Sequence, residues 1–188
     1  MAYKGKNGVS AYGVLMYTQL VFLAIEIGYS IGSAPIISYN YGAKNTDELK
    51  NVFKKSMIIL NVSGICLSAL AQALAVPMAR IFVRNDPDLF NLTVHAFRLF
   101  SFGFAFSGIT IFASGFFTAL NNGLISAILS FARSIVFQIT PVLVLPLLLG
   151  VDGIWYSFLT TEACAFVVCV SFFLAEKFGH VGMFYKAR

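Results

Sequence analysis

Charge is what this chain has least of. Asp, Glu, Lys and Arg make up 11% of its 188 residues, where ordinary soluble domains carry about 25%. With 59% hydrophobic residues and a mean hydropathy of +0.82, a water-soluble domain is excluded. The formal net charge of +5 does not imply a nucleic-acid partner. The basic residues sit in short stretches beside apolar runs, and no basic, aromatic-studded surface can be drawn. Cysteine is scarce too: Cys66, Cys164 and Cys169 lie within apolar stretches with no metal-ligand spacing and are expected to behave as small hydrophobes. The two histidines, His95 and His180, are far apart, and no nucleotide-binding loop, Gly-x-Ser-x-Gly or His-Glu-x-x-His occurs. No enzyme, resident metal or cofactor is expected. A secretory leader is also missing: residues 1–10 are polar, without an apolar core and cleavage site, so insertion is left to the apolar runs themselves.

What the chain does have is long apolar sequence. Runs at 10–39, 52–79, 88–119, 123–149 and 153–175 each exceed the roughly 20 helical residues that cross a bilayer core. The expected fold is an all-α integral membrane protein with five transmembrane helices in one domain. Membrane lipid is its first partner. Three runs carry a charge deep inside: Glu26, Arg133 and Glu162. A charge at mid-membrane costs about 2.5–3.5 kcal/mol even on lenient insertion scales, which makes each a functional candidate.

An odd number of spans puts the termini on opposite faces. One face collects Lys44, Lys50, Lys54 and Lys55 of the 40–55 loop with Lys177, Lys186 and Arg188 of the C-terminal tail; the other holds Lys4, Lys6, Arg80 and Arg84. The positive-inside rule then places the C-terminus in the cytoplasm and Met1 outside. Asn85-Asp86-Pro87-Asp88 reads as a helix start, with Asp86 as N-cap and Pro87 at the first helical position. Asn121-Asn122-Gly123 and Gly150-Val151-Asp152-Gly153 read as tight turns.

Helical spacing sorts side chains onto faces. In the first span Ala24, Gly28 and Gly32 form a small stripe suited to close helix packing. Gln19, Glu26, Ser30, Ser33 and Asn40 lie nearly opposite, as a cavity wall or, for Glu26, as one half of a buried pair. The third span alternates Phe with small residues. A lone strand would leave backbone groups unsatisfied in lipid, so a helix is expected, with Ser101, Ala105 and Gly108 as its packing stripe and Phe toward lipid. The fourth puts Arg133, Phe137 and Thr140 on one face, and Pro141 and Pro146 are expected to kink its outer half. Arg133 is placed to pair with Glu26 or Glu162, or to meet a substrate directly. On the fifth span Trp155, Phe158, Glu162, Phe166 and Cys169 share a face. An acid framed by aromatic rings suits a lipophilic cation, while Trp155 can equally be an interfacial anchor.

Several of these stretches together resemble the multidrug and toxic compound extrusion (MATE) family of ion-coupled efflux transporters. They are Gly28-Tyr-Ser-Ile-Gly32-Ser-Ala-Pro35-Ile-Ile-Ser-Tyr39-Asn40-Tyr41-Gly42-Ala43, then Phe117-Thr118-Ala119-Leu120-Asn121-Asn122-Gly123, Arg133 with Pro141 and Pro146, Gly150-Val-Asp-Gly153-Ile-Trp155, and Glu162. Their order is similar to that family's C-terminal half. The resemblance implies two six-helix lobes around a central cavity, with the spans here as the second lobe without its first helix. It also implies a missing N-terminal lobe, so the chain is expected to be a truncated or split product. Many members hold cation-coupling acids in the absent helix and in the tenth. The span 88–119 has no acid beyond Asp88, so Glu26 and Glu162 become the ion or proton candidates on chemistry.

The expected function is that of the C-terminal part of an antiporter exporting drug-like lipophilic or cationic compounds from the cytoplasmic membrane against H⁺ or Na⁺. Gln19, Ser30, Ser33, Asn40, Arg133, Phe137, Thr140 and Phe158 are the cavity candidates. A related flippase for lipid-linked saccharides is the alternative within transporters, although only Arg133 is available mid-span for phosphate. A non-transporting subunit or inactive remnant is the alternative outside them.

Overall fold

The computed structural model describes residues 5–83 and 86–177. Among them the chain forms helices α1 (Gly5–Gly42), α2 (Thr46–Phe82), α3 (Pro87–Ser101), α4 (Phe104–Ala119), α5 (Gly123–Phe131), α6 (Phe137–Leu149) and α7 (Val151–Lys177), with a π-helical turn at Ala132–Val136. No strand occurs among the described residues. Lys4, Arg84, Asn85, His180, Lys186 and Arg188, used above for orientation and helix ends, lie outside them.

Four stretches are long and apolar enough to cross a bilayer, and α3 with α4 make a fifth, bent by 48°. The 38 residues of α1 extend about 57 Å at a 1.5 Å rise per residue, well beyond a core of about 30 Å. The helices therefore overrun the apolar runs. What reads as a loop at 40–55 is only residues 43–45, and Lys50, Lys54 and Lys55 ride on α2. Asn45 accepts from the Glu48 amide at 3.2 Å. Asp86 caps α3 through the Asp88 and Leu89 amides, both at 3.0 Å, with Pro87 following it.

Two expectations about helix shape are corrected. The 88–119 stretch is not one helix: it breaks at Phe102 and Gly103, where bonds tighten to the three-residue pattern. The Phe158 ring fills the place a side chain at 103 would take, so only glycine admits this approach. Gln72 donates to the Arg98 carbonyl at 2.8 Å and to Ser101 Oγ at 2.7 Å beside the break. In the fourth span the change of hydrogen-bond pattern sits at Ala132–Val136, ahead of the prolines, and α6 runs through both Pro141 and Pro146. Pro141 cannot donate to the Phe137 carbonyl. Thr161 of α7 does so instead, at 2.6 Å.

The face assignment of α1 is also inverted. Ala24, Gly28 and Gly32 are exposed, and a Cβ added at either glycine would meet nothing within 4 Å. The buried face carries Phe22, Glu26, Ser30, Ser33 and Ile37. In lipid, apolar surface gains little from burial, whereas carboxyl and hydroxyl groups must find partners inside the protein. In the third span Ser101 and Gly108 are buried and Ala105 lies against Gly64. Its phenylalanines do not all face lipid, however: Phe100 and Phe104 are core residues.

Helix α4 is the hub, touching α1, α2, α5 and α7, whereas α6 leans on α7. One apolar cluster gathers Leu15, Phe22, Phe97, Phe100, Phe104, Trp155 and Phe158. A second gathers Leu49, Leu60, Phe112, Phe116 and Phe117, with the Phe117 and Phe173 rings stacked 5.8 Å apart. Between them, along α1, α4 and α7, runs a layer of buried polar side chains.

Candidate functional site

That polar layer is built from residues that helical spacing brings to facing positions. Ser107 and Thr110, one turn apart on α4, meet an acid on either side. Ser107 Oγ donates to Glu26 Oε2 at 2.6 Å, and Thr110 Oγ1 donates to Glu162 Oε2 at 2.6 Å. The Glu162 carboxylate also takes Arg133, with Nε at 3.1 and 3.2 Å from its two oxygens and Nη2 at 2.5 Å from Oε1. Of the choices open to Arg133, the structure takes Glu162. The π-turn that carries Arg133 shifts the register of its helix at the point where the guanidinium meets α7.

The two glutamates are not equivalent. Each is 1% exposed, but Glu162 is fully engaged and Glu26 is not. Glu26 Oε1 has no hydrogen-bond partner among the described residues, and it ends against Gly108, where an added Cβ would come within 3.2 Å. A buried oxygen without a donor is costly and calls for a reason, such as an ion or a proton.

A cavity of about 640 Å³ opens between α1, α6 and α7. Gln19, Arg133, Phe158 and Glu162 line it, together with Tyr12, Phe100, Gln138, Pro146, Trp155, Ser157 and Thr161. The other sequence candidates are elsewhere. Ser30 faces Gly115, and Ser33 donates to the Ser30 carbonyl at 3.1 Å. Asn40 bonds back to Ile36 of its own helix at 2.9 Å. Phe137 contributes its carbonyl to Thr161 rather than its ring to the wall, and Thr140 is exposed away from the cavity. Glu26 lies behind the wall, in the polar layer. Trp155 is fully buried and stacks on Tyr12 at 6.5 Å, so it is a cavity residue and not a surface anchor.

Of the Arg133–Glu162 pair the guanidinium is the side presented to the cavity, its side chain 24% exposed against 2% for the acid. The framed acid inferred from spacing is therefore closed by its own counter-charge. Sequence reading missed Ser107 and Thr110, whose signal was two hydroxyls one turn apart in a phenylalanine-rich span, and it missed Gln138, Ser157 and Thr161. Among the described residues no group of three His, Cys, Asp or Glu side chains is placed to hold a metal ion.

Comparison with known proteins agrees with this architecture. The MatE family model matches residues 1–144. The multidrug export protein MepA of Staphylococcus haemolyticus is 26% identical over 170 residues, which is 89% of this chain and 36% of that protein. An outward-facing multidrug resistance MATE family transporter of the MOP superfamily superposes with a TM-score of 0.85 at 18% identity, covering 97% of this chain and 40% of that one. A MATE structure in complex with MaL6 gives the same score over 97% and 41%. An inward-facing MATE transporter gives 0.74 at 18% identity, over 92% and 39%. The chain thus spans about two-fifths of the length of these relatives.

Proposed function

This chain belongs to the MatE family, and from that premise we propose that it is the second lobe of a multidrug exporter, driven by H⁺ or Na⁺ and completed by a lobe outside these residues. The observation that carries the reading is the pairing of a cavity with a separate buried acid. The cavity supplies an apolar, aromatic enclosure of the size small-molecule sites use. Glu26, with one oxygen held by Ser107 and the other unpartnered, is the carrier of the coupling proton or ion. The Arg133–Glu162 pair is the fixed polar corner of the substrate cavity.

Mechanistically, Glu26 and Glu162 grip neighbouring positions of α4 through Ser107 and Thr110. Loading Glu26 changes what α1 holds on α4, while α4 touches α7 and so the cavity wall. Alternating access then follows from rocking this lobe against its partner as the load on Glu26 changes. A lipid-linked saccharide is less well served, because the one cation of the cavity wall, Arg133, is committed to Glu162.

We place the protein in the cytoplasmic membrane with the α1–α2 turn and the C-terminus inside. The support is the cluster of Lys44, Lys50, Lys54 and Lys55 at that turn and the preference of such clusters for the cytoplasmic side. The test is export of a lipophilic bisbenzimide dye from efflux-deficient cells. The exporter carrying this lobe is expected to lower dye retention, and Glu26→Gln to abolish the effect at equal membrane abundance. Export by Glu26→Gln at the wild-type rate would remove Glu26 from the mechanism. The lobe expressed alone is expected not to export.

A further inference from the structure

The cavity wall has an imbalance between donors and acceptors. Every oxygen of the Glu162 carboxylate is taken, by Arg133 and Thr110. The hydroxyl protons of Ser157 and Thr161 are spent on backbone carbonyls, at 2.7 Å to Gly153 and 2.6 Å to Phe137. Two N–H donors remain. Arg133 bonds Glu162 through Nε and Nη2, leaving Nη1 without an acceptor among the described residues. Trp155 Nε1 is buried and has none either. An unpaired buried donor costs the protein its hydration, and that cost is recovered only when an acceptor arrives. The side-chain amides of Gln19 and Gln138 offer both senses and do not discriminate.

Resting on the export reading above, the geometry points to a ligand class. The cavity takes ring-bearing lipophilic molecules that present an oxygen acceptor, a carbonyl or a carboxylate, to Arg133 and Trp155, in preference to quaternary cations. The flat faces for the rings are the Tyr12–Trp155 stack and the Phe100–Phe158 stack, the latter with centroids 4.4 Å apart. A cation finds no free carboxylate in this wall. It reaches Glu162 only by displacing Arg133, which breaks a buried ion pair and strands a guanidinium. An oxygen acceptor takes N–H groups that are already vacant and disturbs nothing. Aromatic faces also attract cations, so the test must hold the ring constant and vary the head group.

The experiment is equilibrium dialysis of naphthoate, acetonaphthone and naphthyltrimethylammonium against the chain in lipid nanodiscs, with empty nanodiscs subtracted. Both oxygen-bearing probes are expected to bind at least about tenfold tighter than the ammonium, the factor that one charge-assisted hydrogen bond supplies. Trp155→Phe keeps a ring and removes the indole N–H; Arg133→Lys keeps a cation beside Glu162 and removes the spare guanidinium N–H. Each is expected to weaken the oxygen-bearing probes by about fivefold and leave the ammonium unchanged. Ammonium binding equal to or tighter than the others, or indifference of the oxygen-bearing probes to both variants, overturns the ligand class while leaving the export reading intact. Binding of none of the three overturns the cavity reading and this inference with it.

Discussion

Removing Arg133 strands the Glu162 carboxylate, and the cost can be worked from its contacts. Glu162 is 1% exposed. Three of its four hydrogen bonds come from the guanidinium and one from Thr110. Arg133→Met keeps the length of the side chain and deletes all three, leaving a nearly unpaired charge between helices. Breaking one side of such a buried pair costs about 3–5 kcal/mol. Replacing both partners, as in Arg133→Met with Glu162→Met, removes the desolvation penalty along with the attraction and is expected to fall within about 1 kcal/mol of wild type or above it. The double-mutant cycle should therefore show a coupling of at least about 2 kcal/mol. The assay is unfolding of the chain from mixed micelles by added sodium dodecyl sulfate. The single tryptophan, Trp155, is fully buried beside the pair and reports by its fluorescence. An Arg133→Met midpoint equal to wild type, or a double variant as unstable as Arg133→Met alone, would refute the reasoning.

Other perturbations follow from single contacts. Thr161→Val removes the hydroxyl that satisfies the Phe137 carbonyl freed by Pro141 and should cost about 1–3 kcal/mol in the same unfolding assay. Gly153→Ala places a Cβ on the Leu145 carbonyl and the Pro146 nitrogen, so the α6–α7 hairpin should lose about 1–3 kcal/mol by overpacking. Gly28→Ala and Gly32→Ala meet nothing within 4 Å and should leave the midpoint of the isolated chain within about 0.5 kcal/mol of wild type or slightly above it. The His95–Asp152 contact at 3.0 Å has side chains 54% and 49% exposed; Asp152→Asn should therefore shift stability by no more than about 1 kcal/mol, and less at high salt.

Helix content and membrane character were legible because they depend on apolar length, which one sequence displays in full. Glu26, Arg133 and Glu162 stood out for the same reason: a charge inside such a run has few explanations. Which face of α1 is buried was not legible from Gly28 and Gly32. Small residues permit close packing without requiring it, whereas the Glu26 carboxyl requires a partner, and the requirement decided the orientation. The break at Gly103 depends on the Phe158 ring arriving from a helix more than fifty residues away, a long-range contact that no local pattern encodes. The same holds at Pro141. The sequence announces a freed carbonyl there, and only the fold shows that Thr161 answers it. Ser107 and Thr110 were hidden by their neighbours, since a hydroxyl in a phenylalanine-rich span bonds its own helix as readily as another.

The central claim is that Glu26 carries the ion that drives export, and ion flux tests it most directly. The exporter carrying this lobe is reconstituted in proteoliposomes with an internal pH dye or with external radiosodium, and the lipophilic substrate is added on one side. Substrate movement in wild type is expected to drive counter-movement of H⁺ or of Na⁺, and Glu26→Gln to abolish it while leaving substrate binding in place. Substrate-driven ion movement of wild-type size in Glu26→Gln would contradict the account.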